Sequence, residues 1–383
     1  VPPPARPLRL ADPRFGDEAL EAIAAVLRSG QLTQGPVVAA FEEAVASLCG
    51  TAHAVATTSA TTALELALAA HDIGPGDEVL AADFTYPATG NAVLQRGATL
   101  RLVDADPATY CIEPAALEAA LTPRTRAVLT VDVFGLPADY RVIEPLLAQR
   151  GVALVCDAAC SLGGAIDGRP TGTFGAVSCF SFHPRKSLTT GEGGMVLTDD
   201  AALAERMGAL RNHGTRRDGW RARFTEPGFN FRMSDLNAAL GLSQVKGFPA
   251  VVEHRNALAA RLRGHLESLD GVVAQQVPAR HRHPYQAFVV RCEAGIDRDE
   301  LIAALRAAGV ESTLGTYAMH AEPAFAAACG TRPGDLPHSD ALTRQTLALP
   351  LHQGMDDADV DAVAEALAGA LRAQRAVTTP GTS

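Results

Sequence analysis

From about residue 53 the chain alternates short apolar runs with amphipathic stretches: HAVATTS then TALELALAAHDI, DEVLAADF then PATGNAVLQR, TLRLVDAD then EPAALEAAL, TRAVLTVDVF then YRVIEPLLAQR, and VALVCDAA. Short apolar runs bounded by turn signals read as buried strands, and apolar residues three and four apart read as helix faces. Parallel neighbours need long crossovers, so this alternation specifies a mostly parallel sheet with helices on both faces. Ligands of such sheets lie outside the carboxyl ends of the strands, and the residues that end each apolar run are the first place to look for chemistry.

The remaining segments flank that block. Residues 17 to 28 and 37 to 48 have helical spacing around the turn SGQLTQGP and read as an N-terminal arm. Two closely spaced strand-like runs, GAVSCFSFH and GGMVLTDD, are joined by PRKSLTTGE. A polar stretch from 211 to 235 then breaks the pattern, and a second, smaller αβ unit begins near residue 270. At 383 residues the chain suits two domains. The expected division is an arm plus large domain over 1–250 and a small C-terminal α+β domain over 251–383.

Acidic residues outnumber basic ones by 43 to 33, a formal charge of -10, which disfavours nucleic acid and anionic lipid as partners. An anionic substrate therefore requires a local basic patch. No apolar run reaches the roughly 18 residues that span a bilayer, and VPPPARPLRL lacks a signal-peptide layout, so a cytoplasmic location is expected. Seven scattered cysteines read as reduced core thiols, and Cys156 and Cys160 have no second His/Cys pair to complete a metal site.

Arginine supplies 31 of the 33 basic residues, leaving Lys186 and Lys246 as the only lysines. A guanidinium cannot form an imine, whereas a desolvated primary amine is a nucleophile. Lys186 lies three residues after His183 in SFHPRKSLTT, beyond a strand end and at the ligand edge of the sheet, as an ordinary surface lysine of a loop or as a group with a chemical role; Lys246 reads as drift under codon bias. Asp157 ends the apolar run VALVCD, where a carboxylate is costly without a cation. That cation is either an arginine of the protein or a protonated ring nitrogen of a ligand. Ser59, Thr61 and Thr62 stand where a strand passes into a helix, as plain N-caps or as a phosphate cradle. Phe84 and Tyr86 occupy another such junction, as packing aromatics or as a plate for a planar ring. The GEGG run at 191 to 194 matches no phosphate-binding layout and reads as a tight turn. An amine, a buried carboxylate, a hydroxylated helix start and an aromatic plate together make the set that pyridoxal 5'-phosphate requires.

The segments RSGQLTQGP, SATTALELAL, DFTYPATGNAV, VCDAACSLGG, SFHPRKSLTTGEGG, LRNHGT, GFNFRMSDLNAALGLSQ and LALPLHQGM resemble the DegT/DnrJ/EryC1/StrS family of sugar aminotransferases, within the fold-type I pyridoxal-phosphate enzymes. The resemblance runs through nearly the whole chain. It implies that Lys186 is the Schiff-base lysine, Asp157 the partner of the pyridine nitrogen, Tyr86 the residue over the ring, and Thr61, Thr62 and Ser181 phosphate contacts. Asn230 would reach the cofactor of a neighbouring subunit, implying a homodimer with shared sites. Where the family usually has Gln or His, three residues after the aspartate, this chain has Cys160, a weaker hydrogen-bond partner for the cofactor's phenolic oxygen.

The implied reaction is transamination from glutamate or glutamine to a nucleotide-linked 3- or 4-keto deoxyhexose, with Lys186 as proton shuttle and His183 hydrogen-bonding the substrate or merely packing. The sugar nucleotide's diphosphate is expected among Arg211, Arg216, Arg217, Arg221 and Arg223, with Trp220 stacking on sugar or base; a solvated charge run is the competing view. Three rivals remain: elimination or dehydration on the same fold, a cyclitol ketone as amine acceptor, and a non-catalytic cofactor-binding regulator.

Overall fold

The computed structural model describes residues 6–378. Its centre is a seven-stranded sheet built from β1 (His53–Thr57), β2 (Glu78–Ala82), β3 (Thr99–Val103), β4 (Thr125–Val131), β5 (Ala153–Asp157), β6 (Val177–Ser181) and β7 (Gly194–Thr198). The spatial order is β1-β7-β6-β5-β4-β2-β3, with β7 antiparallel to both neighbours and the other pairs parallel. Parallel strands covered on both faces read as unbroken apolar runs, and β2 is buried at every position.

Alternate residues of each strand feed opposite cores. Val79, Ala81, Leu129, Val155 and Val177 point into one, packed by the helix Ala60–Ala70, whose Leu64, Leu66 and Leu68 are fully buried. Leu80, Val128, Leu154 and Cys156 point into the other, with Tyr140, Ile143 and Leu147 of the helix Tyr140–Ala148. The expected N-terminal arm is not wholly free-standing. Its second helix, Pro36–Cys49, buries Val38, Phe41 and Val45 against Phe180, Phe182 and Met195 of the central sheet region. The first, Asp17–Ser29, leaves Leu20 and Leu27 exposed.

The C-terminal part forms a second sheet in the order Val272–Ala274, Phe288–Cys292, Thr346–Leu349, Thr313–Leu314, with antiparallel neighbours throughout. Residues of the helices Phe248–Leu266, Arg298–Ala307 and Asp357–Thr378 share its core. Leu8 is packed into that same core, its backbone bonded to Gly309 and Glu311. A seam joins the two sheets where Tyr317–Ala318 pairs with Phe84–Thr85. All seven cysteines are free. No helix among the described residues is long and apolar enough to cross a membrane.

Candidate active site

Asp157 closes β5 with 5% of its surface exposed. Thr89 Oγ1 donates to its Oδ2 at 2.8 Å and the Ala159 N–H to its Oδ1 at 3.2 Å. No arginine, lysine or histidine among the described residues forms an ion pair with it. Burial pushes the carboxyl above the usual carboxylate range; Thr89, the Ala159 N–H and the charge of Lys186 pull the other way. A protein arginine is therefore not the cation that Asp157 meets. Thr89 lies on the helix Ala88–Gln95, and sequence reasoning missed it: the one local signal is its position just past the strand-to-helix junction that holds Tyr86.

Lys186 follows β6, the strand beside β5, so the amine and the carboxylate reach the same end of the sheet. Two residues of the strand end shape the turn that presents it. Ser181 Oγ accepts from the His183 N–H at 3.4 Å, and His183 accepts from the Lys186 N–H through its carbonyl at 2.8 Å and from the Arg185 N–H through Nδ1 at 3.2 Å. An accepting Nδ1 assigns the imidazole proton to Nε2. Burial lowers the His183 pKa, with Glu192 opposing and the Lys186 and Arg185 charges assisting, so the ring is neutral at neutral pH. Lys186 Nζ donates to Cys160 Sγ at 3.0 Å.

The loop between Lys186 and β7 is held by one face of the helix Asp235–Val245. Asn237 Nδ2 donates to the Thr190 carbonyl at 2.6 Å, and Gln244 Nε2 to that of Thr189 at 2.7 Å, two turns further along the same face. Asp235 in turn accepts from the Gly35 N–H at 2.7 Å, and a Cβ on Gly35 would lie 2.3 Å from the other Asp235 oxygen. The segments RSGQLTQGP and MSDLNAALGLSQ thus form one support beneath the lysine loop, although 200 residues separate Gly35 from Asp235.

At the start of the helix Ala60–Ala70, Ser59 Oγ accepts from the Thr62 N–H at 3.2 Å while Thr62 Oγ1 accepts from the Ser59 N–H at 3.0 Å, a reciprocal capping box. The capping view thus accounts for Ser59 and Thr62, while Thr61 sits half-buried in the same first turn. Gly194 packs on this turn so closely that a Cβ would lie 2.3 Å from the Ser59 carbonyl, which gives the last glycine of GEGG a packing role. Of the two junction aromatics, Phe84 is fully buried edge-on to Tyr110 and Phe134, and Tyr86 is 68% exposed. Only Tyr86 is available as a plate.

The arginine stretch divides. Thr215–Asp218 and Arg221–Phe224 form an exposed antiparallel hairpin with Trp220 at its tip, 83% exposed, and the Arg221 guanidinium 4.8 Å from the Trp220 ring centroid. Arg216 pairs with Glu205, Arg223 lies 3.5 Å from Asp218, and Arg217 is exposed. Arg211, expected among the substrate contacts, instead turns inward: it pairs with Glu42 and donates to the Ala56 carbonyl at 2.7 Å, while Glu42 accepts from the Ala56 N–H at 2.7 Å. β1 is an edge strand, and this pair satisfies backbone groups that a further strand would otherwise take. Asn230 is exposed, its Oδ1 accepting from Arg232 Nε at 3.0 Å, and Lys246 is a surface residue.

The family model of the DegT/DnrJ/EryC1/StrS aminotransferases matches residues 13–368. The spore coat polysaccharide biosynthesis protein SpsC of Bacillus subtilis is 36% identical over 371 residues, 93% of this chain and 95% of that protein. GDP-perosamine synthase of Caulobacter vibrioides is 39% identical over 344 residues, 87% and 90% of the respective lengths. The crystal structure of DesV from S. venezuelae, in complex with a ketimine intermediate, superposes with a TM-score of 0.89 at 34% identity, covering 98% of this chain and 100% of that one. A strand-end carboxylate, an amine on the adjoining strand end, and likeness along almost the full length converge: the chain belongs to the DegT/DnrJ/EryC1/StrS aminotransferase family and is a pyridoxal-phosphate-dependent aminotransferase.

Proposed function

We propose that this enzyme moves an amino group from glutamate or glutamine to a nucleotide-linked keto-deoxyhexose, at ring position 3 or 4. One observation carries the reading: Asp157 is a buried carboxylate with hydrogen-bond donors but no ion-pair partner among the described residues, on the strand next to the one that presents Lys186. These residues fit pyridoxal 5'-phosphate: Asp157 would face a positively charged ring nitrogen, and Lys186 would hold the aldehyde. When bound, the cofactor supplies an electron sink for the carbon that loses or gains nitrogen. Thr89 and the Ala159 N–H orient Asp157 and offset part of the burial that raises its pKa, and the carboxylate would favour a protonated ring nitrogen in bound cofactor. Lys186 would hold the cofactor and, once its amine is free, would take and return a proton at the reacting carbon. Neutral His183 offers its Nε2–H to the substrate.

In this reading Ser59, Thr61, Thr62 and Ser181 hold the phosphate, Tyr86 covers the ring, and Cys160 lies by the phenolic oxygen. Asn230 serves the cofactor of a partner subunit in a homodimer. Arg216, Arg217, Arg221 and Arg223 take the diphosphate, with Trp220 against the sugar or base. A chain of net charge -10 needs such a patch, and the exposed hairpin concentrates four arginines between 216 and 223. The Caulobacter relative is named GDP-perosamine synthase, and that name supports the same substrate class. Residues 1–250 would form the cofactor-binding domain and 251–383 the smaller one. Seven free thiols support a reducing compartment, the cytoplasm.

The test is to incubate the purified enzyme with glutamate or glutamine, then with nucleotide-linked 3-keto and 4-keto sugars, identifying amine products by mass. Amine transfer to a nucleotide sugar is expected, and turnover should fall by about 10²–10⁴-fold or more in Lys186→Arg. Loss of water from the sugar without nitrogen transfer would mean dehydration instead. Transfer only to a cyclitol ketone would change the acceptor, and no reaction of the bound cofactor with either donor would end the catalytic reading.

A further inference from the structure

The peptide groups on both sides of Lys186 are held by a single side chain from the C-terminal part of the protein. Gln286 Nε2 donates to the Arg185 carbonyl at 2.7 Å. Its Oε1 accepts from the Ser187 N–H and from Ser187 Oγ, each at 3.0 Å. The segment from 183 to 190 has neither helix nor strand, so no ladder of backbone bonds fixes it. Gln286 is in turn held from behind. Arg255, on the helix Phe248–Leu266 and only 2% exposed, donates through Nε to the Tyr285 carbonyl at 3.0 Å and through Nη2 to the Gln286 carbonyl at 3.0 Å. Its Nη1 reaches Gln353 Oε1 at 3.3 Å. A buried guanidinium bonded to neutral oxygens has few alternative arrangements, so the Gln286 backbone is rigidly placed.

A lysine amine is located only as well as the backbone that carries it, because its four-carbon stem adds freedom and no constraint. The Nζ contact with Cys160 cannot fix the backbone by itself. We propose that Gln286 is a positioning residue for Lys186: its amide spans the flanking peptide groups, sets the arc available to the amine, and ties that arc to the Phe248–Leu266 helix through Arg255. This rests on Lys186 being the lysine that carries the cofactor. It assigns a function to a glutamine about 100 residues from the site it serves, in a segment that the sequence motifs pass over.

The test compares the wild type with Gln286→Met, which keeps reach and loses all three bonds, and Gln286→Glu, which keeps the acceptor and loses the donor. Apoenzyme is mixed with pyridoxal phosphate, and the growth of the visible band of lysine-bound cofactor is followed, alongside its pH titration and the melting temperature of the apoenzyme. Misplacement of a reacting group by about 1 Å costs about 10²-fold, so capture should slow about 10- to 100-fold in Gln286→Met and by less in Gln286→Glu. The apoenzyme melting temperatures should stay close to that of the wild type, and kcat should fall with little change in KM for the donor. Wild-type capture rates in Gln286→Met, or losses that simply follow melting temperature across both variants, overturn the proposal. If Gln286→Met does not fold, Gln286→Glu against wild type decides by the same measurements. Borohydride fixation maps the attachment point in the wild type independently: with only two lysines, cofactor found on Lys246 removes the premise, whereas cofactor on Lys186 with an indifferent Gln286→Met removes only the role of Gln286.

Discussion

Replacing Thr89 with valine tests the electrostatics of the site through a single hydroxyl. The two side chains have nearly the same shape, so the change removes the 2.8 Å bond to Asp157 with little effect on volume. Both residues are buried, Thr89 completely, and solvent cannot take over the donor's place. A hydrogen bond to a charged group contributes about 1.5–3 kcal/mol. With an unfolding entropy of about 2 cal/mol/K per residue, that corresponds to a drop of roughly 2–4 °C in the melting temperature of the apoenzyme. The pH dependence separates charge from packing. Burial raises the folded pKa of Asp157 above its unfolded value, so ionisation costs stability as pH rises, and the Thr89 donor offsets part of that cost. Thr89→Val should therefore be destabilised most where the folded carboxyl is ionised, and progressively less on acidification, as Asp157 takes up a proton in the folded state. Thr89→Ser should restore most of the loss. Thermal unfolding of apoenzyme at about pH 8 and about pH 5 measures both effects. A deficit that is the same at both, or that serine does not repair, would show that Thr89 acts by packing and not on the charge.

Other consequences are open to measurement. Arg211→Met leaves Glu42 and the Ala56 backbone without their buried partner and should cost about 3–5 kcal/mol, with Arg211→Met/Glu42→Leu recovering much of it; an unchanged melting point with weakened sugar-nucleotide binding would return Arg211 to the substrate site. Asp132 is buried under hydrogen bonds from Ser161, Tyr140 and the Ala138 N–H, and burial raises its pKa to about 6. Because the folded state then holds a proton that the unfolded state releases, Asp132 lowers stability as pH climbs from about 4 to about 6; Asp132→Asn should flatten that part of the profile, and an unaltered slope counts against this assignment. Replacing Arg216 and Arg217 together with serine should raise KM for the nucleotide sugar about 10-fold or more while leaving the reaction with glutamate unchanged, since the exposed Arg216–Glu205 pair contributes under about 1 kcal/mol to the fold. Equal KM values would remove the hairpin from the substrate site.

Apolar periodicity is a local property, and it was enough by itself to specify the order of strands and helices in the central sheet and to mark Asp157 as a carboxylate stranded at a strand end. Composition narrowed the candidate amines to Lys186 and Lys246, and the position of Lys186 beyond a strand end separated them. Buried polar partners obey a different rule: they are selected by proximity in space, and nothing in their own neighbourhood announces the group they will meet. Thr89 finds Asp157 across 68 positions and Gln286 finds Ser187 across 99, so neither partnership could be read from spacing. Arg211 shows the same limit in reverse. Within a run of solvated-looking arginines it reads as a surface cation, and only the packing of β1 at the sheet edge, with the Ala56 backbone needing both a donor and an acceptor, turns it into the interior. The identity of the candidate site groups was thus set by residue type and local pattern, whereas their orientation, protonation and support were decided by contacts that exist only once the chain has closed on itself.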